Sequence, residues 1–250
     1  EILALCFMPL VIAGLYHLIL GDKRKWYQLV IGATGIFQSH MRGTLFALLL
    51  ALFICLTNLP RLFHNKRWVG AVKAVVLLVL INLWYIVPFL DFISLDLNLN
   101  HTSDGLGIFY NNAVYVPQLF NLLADEFGYS HNLDGGMGGE LSQTMGLIVT
   151  GIFLLLILWY LVLKKDWRRF SFKLFLFGCL ALLASTTLIP WQRLQGIGFI
   201  NYLTSIIQFP WRFLGLASAA FVFAGAMVYR KWEPVLSVKA RKGIMAGTVA

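Results

Sequence analysis

Residues 2–26 read Ile-Leu-Ala-Leu-Cys-Phe-Met-Pro-Leu-Val-Ile-Ala-Gly-Leu-Tyr-His-Leu-Ile-Leu-Gly-Asp-Lys-Arg-Lys-Trp, a long apolar run that stops at a basic cluster. About 20 mostly apolar residues, rising about 1.5 Å each, cross the hydrocarbon core of a bilayer. Ile2–Leu20 therefore reads as a spanning helix and Gly21–Trp26 as its stop. It does not read as a signal peptide, because it is too long for the apolar region of one and no basic stretch precedes it. The chain opens on Glu1 inside the apolar pattern, and Gly243–Ala250 resembles the start of another apolar stretch. It reads as an internal piece of a longer protein.

The rest of the chain agrees with its first 26 residues. Of 250 residues, 59% are hydrophobic, 15% aromatic and 12% charged, and the net charge is +9. Soluble domains carry roughly 25% charged residues. A sphere of this size in water cannot cover itself with so little polar surface. A soluble globule, a disordered tail and a nucleic-acid binder are excluded on that ground, and a polytopic membrane protein remains. Cys6, Cys55 and Cys179 each lie inside an apolar run, where cysteine acts as a small hydrophobe. No Cys/His spacing points to a metal or redox site, and no cofactor is expected.

Further apolar runs follow. Tyr27–Gln38 is only twelve residues long and ends at Ser39-His40-Met41-Arg42, after which Gly43–Leu59 resumes. Two helices with a tight bend fit this pattern, and one kinked helix is the alternative. Pro60–Trp68 is a basic loop. Spans are expected at Val69–Ile93, Thr144–Leu163, Phe172–Ile189 and Phe213–Tyr229, with basic turns at Lys164–Arg169 and Arg230–Lys242. Ser94–Ser142 is the only long polar stretch and sets an extracytoplasmic loop at 94–143. Within it, Ala113–Glu126 has apolar residues near helical spacing, as an amphipathic interfacial helix would. Asp134–Glu140 is a glycine-rich turn without the ending of a phosphate loop. The expected architecture is all-α: a single transmembrane domain, 1–250, of about seven spans.

Lysine and arginine set the orientation. With Tyr27–Gln38 counted as the second span, the turns after spans one, three, five and seven share one side and hold fifteen of the 20 basic residues. Lys73 and Lys173 begin spans on that side, which reads as cytoplasmic. Asp91, Asp96, Asp104, Asp125, Glu126, Asp134 and Glu140 fall on the other. Tryptophans mark both boundaries: Trp26, Trp68, Trp167 and Trp232 inside, Trp84, Trp191 and Trp211 outside. The net charge is thus cytoplasmic anchoring, aided by anionic lipid.

Only Arg42, Arg193 and Arg212 break this trend, and they are the candidate site residues together with His40. Arg212 sits in Gln208-Phe-Pro-Trp-Arg-Phe213, where a span begins. A guanidinium there can hold phosphate oxygens through paired hydrogen bonds, and a helix N-terminus adds positive potential. Snorkelling to headgroups, or pairing with an outer carboxylate, is the other reading. Arg193 opens the semi-polar stretch that Arg212 closes. Phe199–Ile207 between them reads as a re-entrant or interfacial segment that cups an anionic headgroup, or as a plain amphipathic connector. His40 and Arg42 share the outer turn between spans two and three. The histidine can donate to phosphate, shuttle a proton, or satisfy carbonyls at a helix end. His17 reads as a packing or inter-helix hydrogen-bonding residue, and His64 as solvated. Among the outer carboxylates, Asp91, Asp125 and Glu126 are acid/base candidates, and spacing singles none of them out.

Pro190-Trp-Gln-Arg193 and Ile206-Ile-Gln-Phe-Pro-Trp-Arg-Phe-Leu214 resemble segments of bacterial polytopic membrane proteins called 6-pyruvoyl-tetrahydropterin synthase-related. Gly32-Ala-Thr-Gly-Ile-Phe-Gln-Ser-His40 is similar to a turn in the same family. Those proteins look like members of the GT-C group of glycosyltransferases. The resemblance implies a cell-membrane enzyme that uses a polyprenyl-phosphate-linked sugar at the outer face to build envelope glycan. An acceptor hydroxyl would attack the anomeric carbon, with a base in a first outer loop that precedes this piece. By position, Arg212 would meet the carrier phosphate, with His40 and Arg193 as weaker candidates; Arg42 stays a substrate-binding candidate from its turn alone. The expected partners are membrane lipid and the lipid-linked donor; the oligomeric state is open. Two rivals are a flippase or transporter of such a lipid, and a non-catalytic subunit of an envelope-synthesis complex. Against the flippase stand the missing internal repeat and a span midplane almost free of charge.

Overall fold

The computed structural model describes residues 2–94, 109–120, 143–163 and 169–232. Among these the chain is helical and has no strand, only an isolated bridge between Val114 and Thr186. The expected Asp96, Asp104, Asp125, Glu126, the Asp134–Glu140 turn, Lys164–Arg168 and residues 233–250 lie outside the described residues. The chain forms two compact units. One comprises 1–108 with 195–208, the other 109–194 with 209–250.

The first unit holds α1 (Ile2–Ile19), a 3-10 turn (Lys23–Trp26), α2 (Tyr27–Ser39), α3 (Met41–Leu56), α4 (Leu59–Phe63), a second 3-10 turn (His64–Lys66), α5 (Arg67–Ser94) and, after a gap in sequence, the helix Gly198–Ile207. Its core is built on α1. Val11, Ile12, Leu15, Leu18 and Ile19 are buried, along with Val30 and Ile36 of α2 and Leu50 and Ile54 of α3. α1 and α2 approach closely because glycines line the contact: a Cβ on Gly32 would sit 2.7 Å from the Val11 amide nitrogen, and one on Gly14 would strike the Leu29 backbone. Small residues let apolar helices gain dispersion contacts that large ones would block.

α2 and α3 are separate helices, not one kinked helix. His40 between them is extended (φ −163°, ψ 105°) and starts α3 as its N-cap. The end of α1 meets the segment after α3, since Arg67 Nη1 donates to the carbonyls of His17, Leu18 and Gly21, each at 3.1 Å. Lys23 Nζ also reaches the Asn65 carbonyl at 3.3 Å. The first two basic turns thus lie at one end of this unit, and His40 at the other. One guanidinium closes carbonyls that an α-helix leaves unsatisfied at its C-terminus, where the dipole also favours a cation.

α5 leaves most of its apolar surface uncovered. Val75, Val79, Leu80, Leu83, Trp84, Val87 and Leu90 are exposed, while Ala74 and Asn82 are buried. Lys73 and Asp91 are exposed near its two ends. Asn82 fastens α5 to α2: it accepts from Gln38 Nε2 at 3.1 Å, and its Nδ2 donates to Thr34 Oγ1 at 3.3 Å and to the Leu78 carbonyl at 2.7 Å.

The second unit holds α6 (Val116–Leu119), α7 (Leu147–Ile157) continued by a π-helical turn (Leu158–Leu163), α8 (Phe170–Ser185), α9 (Trp191–Leu194) and, by the same count, α11 (Arg212–Trp232), Gly198–Ile207 being α10. α8 and α11 pack on each other through Gly178, whose missing Cβ makes room for the Phe221 ring. Phe153, Tyr160, Phe175 and Phe221 form an aromatic core, with Phe153 and Phe221 centroids 4.9 Å apart and Tyr160 and Phe175 at 5.5 Å. The buried Tyr160 hydroxyl donates to Ser171 Oγ at 2.6 Å, which offsets the cost of burying it.

Several expected boundaries move for identifiable reasons. The amphipathic helix expected over Ala113–Glu126 is helical only at Val116–Leu119 within the described residues. Val114 is taken by Ser185 and Thr187, which exchange backbone hydrogen bonds with it. The same pairing ends α8 at Ser185, short of the expected Ile189. α7 starts at Leu147, not Thr144, because Gly146 has φ +74° and Met145 N donates to the Leu119 carbonyl. Among the described residues, two stretches are long and apolar enough to cross a membrane: Leu59–Phe92 (34 residues, mean hydropathy 2.2 over its 18-residue window) and Arg212–Lys231 (20 residues, 1.5). The other apolar helices among the described residues have 10–17 residues within this measure.

Candidate functional site

His40 and Arg42 belong to the first unit, and Arg193 and Arg212 to the second. In the first, His40 Nδ1 accepts from Gly43 N at 3.1 Å. The ring caps α3 as an Asn or Asp side chain would. Through Nδ1 it serves a helix amide, a partner the sequence reading did not name. A neutral ring whose Nδ1 accepts carries its proton on Nε2. Arg42 lies two residues along, half-buried in the first turn of α3. The sequence placed these two together, and they share one helix start.

In the second unit Arg212 opens α11 half-buried. Its guanidinium carbon lies 4.9 Å from the centroid of the Phe209 ring and 5.6 Å from that of Trp211. Those two rings stack on each other at 5.4 Å and 19°. Each such cation–π contact is worth about 0.5–1 kcal/mol at an exposed site. The aromatic seat orients the guanidinium and excludes water from one of its faces. Sequence reading passed over this seat, although part of the signal is there: Phe209 stands three residues before the arginine, a spacing at which side chains meet across one turn.

The start of α11 is less open to an anion than the sequence implied. Arg212 N, Phe213 N and Leu214 N already donate to the carbonyls of Phe209, Pro210 and Trp211 at 3.2, 3.0 and 3.0 Å. The turn before the helix consumes the first amides, so an anion here meets the guanidinium more than the backbone. Pro210 lies in that turn and not inside the helix.

Arg193 is exposed on α9. Trp191 anchors this four-residue helix, donating from Nε1 to the Ala184 carbonyl at 3.2 Å and packing edge-on against Phe109 at 4.9 Å. α10 is a ten-residue helix, about 15 Å long and too short to cross a bilayer. It exposes Phe199 and Tyr202 and buries Thr204 and Ile207, and Thr204 Oγ1 accepts from the buried Gln195 at 3.1 Å. Gln208 ends it in a left-handed conformation, φ 67°.

His17 is half-buried with its ring edge-on to Tyr16, and its side-chain bond is local. Its Nδ1 accepts from Asp22 N at 3.3 Å, a local bond and not an inter-helix one. Asp91 is exposed on the last turns of α5. Comparison of the chain with protein-family models, with curated proteins and with solved structures finds no match.

Proposed function

We propose that this chain is the membrane-embedded part of a GT-C-like glycosyltransferase that takes a polyprenyl-phosphate-linked sugar at the outer face of the cell membrane and builds envelope glycan. In this reading the chain crosses the membrane about seven times, with α2 as the second crossing and the basic turns in the cytoplasm. The carrier phosphate rests against Arg212. The acceptor hydroxyl attacks the anomeric carbon, the bond from that carbon to the phosphate oxygen breaks, and the oxygen leaves with the electron pair. Its charge is what a fixed guanidinium stabilises. The hydroxyl proton passes to a carboxylate base.

The observation that carries the reading is Arg212, a cation against the trend of the chain, held over Phe209 at the start of an apolar helix of membrane length. A fixed planar fork suits the oxygens of a phosphate ester. The uncovered apolar face of α5 supports the membrane setting, since large apolar patches in water are rare.

The test is Arg212→Ala and Arg212→Lys in the full-length protein, with polyprenyl-phosphate binding and sugar transfer measured beside thermal unfolding. Loss of charge-assisted hydrogen bonds lowers binding about tenfold or more in Arg212→Ala, and Arg212→Lys retains part of it. Unchanged binding and transfer in both variants removes the proposal.

A further inference from the structure

At the opposite end of the first unit from His40, a cavity of about 330 Å³ opens between Ile19, Leu20, Pro60, Arg61, His64 and Arg67. Its lining divides in two. Three residues are apolar, contributed by the end of α1 and the start of α4. The other three carry guanidinium or imidazole groups, and none of the six is a carboxylate. Like charges repel, so a site that gathers them without an acid in its lining is organised for an anion. Arg67 is held in place by the α1 carbonyls of His17, Leu18 and Gly21. Arg61 Nη1 lies 3.5 Å from Oδ1 of the buried Asn58. After His64 the chain places Asn65 and Lys66 in successive left-handed conformations, φ 53° and 55°. Non-glycine residues pay roughly 1 kcal/mol or more each for this backbone, and the turn it makes brings His64 and Arg67 to the same cavity.

We propose that this cavity binds one phosphate group, with the two arginines and His64 on its oxygens. The volume is at the small end of ligand sites, so it takes a headgroup or a small phosphate and not a whole lipid. The apolar half matches the glycerol and first methylenes of a phospholipid. The basic end of the unit is also where an anionic leaflet would lie. A free phosphate monoester offers the same oxygens without the apolar part. The site stands apart from the Arg212 proposal. Only its lipid source rests on the membrane setting, because phosphate binding in detergent needs no bilayer.

The full-length protein is reconstituted in phosphatidylcholine with a minor share of phosphatidylglycerol, re-extracted in mild detergent, and its retained lipid counted by native mass spectrometry. In parallel, inorganic phosphate is titrated against lipid-free protein and followed by phosphorus line broadening. Arg61→Gln and His64→Gln are the test variants, two of them so that a folding defect in one leaves the other. Lys25→Gln removes an exposed charge from the neighbouring turn as a control; Arg67 is left intact because it closes α1. Preferential retention of phosphatidylglycerol, reduced about tenfold by the test variants and not by the control, establishes a headgroup site. Broadening of inorganic phosphate that the test variants abolish, without lipid preference, establishes a free-phosphate site. Equal lipid loss in the control and test variants, with no phosphate broadening, overturns the proposal and leaves only a basic surface.

Discussion

His40 illustrates how one side chain can hold two roles that substitution separates. Its Nδ1 caps α3, while Nε2–H is the group a phosphate would use. Removing an N-cap costs about 1 kcal/mol, and asparagine is among the best caps. His40→Ala should therefore lower the thermal unfolding midpoint in detergent, and His40→Asn should leave it near wild type. If the imidazole also meets the carrier, both variants lose transfer equally despite their different stabilities. Transfer that tracks stability alone assigns the residue to the cap. The sequence marked His40 and Arg212 because they sit at turns and against the charge trend. It did not show what each touches: the Gly43 amide and the stacked Phe209 and Trp211 rings are matters of backbone angle and rotamer, which residue order leaves open.

Among the elements, the glycines of the helix contacts make the sharpest forecast. A Cβ at Gly14 has backbone in its way, and backbone cannot rotate aside, whereas Gly151 in α7 has open space around its Cβ position. Gly14→Ala should destabilise by roughly 1–3 kcal/mol through overpacking. Gly151→Ala should be neutral or raise stability by up to about 1 kcal/mol, since alanine favours a helix. Equal effects at both sites would mean that α1 and α2 do not approach as described. Helix positions themselves were largely legible, because an apolar run bounded by charge has few alternatives. Ile2–Leu20 became Ile2–Ile19, and Tyr27–Gln38 became Tyr27–Ser39. What could not be read was contact across distance in sequence. Val114 pairs with Ser185 and Thr187 some seventy residues away, and that pairing shortens one helix and truncates another.

For the molecule as a whole, the arrangement of basic turns is the testable statement. Arg67 and Lys23 tie the turn after α1 to the segment after α3, so residue 65 and residue 39 belong to opposite ends of the first unit. With the native cysteines replaced, Asn65→Cys in intact cells should react with a membrane-impermeant maleimide only after lysis, and Ser39→Cys before it. Labelling of both from one side would deny that α2 and α3 cross. The apolar runs foretold helices, and the described residues are helical without a strand. The division into two compact units was not visible in those runs, because the segment 195–208 joins the first unit from far down the chain. The exposed Lys73 and Asp91 of α5 have one more consequence. Eighteen helical steps separate them, about 27 Å, against an oil layer of about 30 Å. As a crossing, that helix stands nearly upright with no length to spare. A thinner bilayer is met by leaning, but a thicker one drags an ion below the surface or dimples the leaflet around it, so long-chain lipids should strain this protein before short-chain ones do.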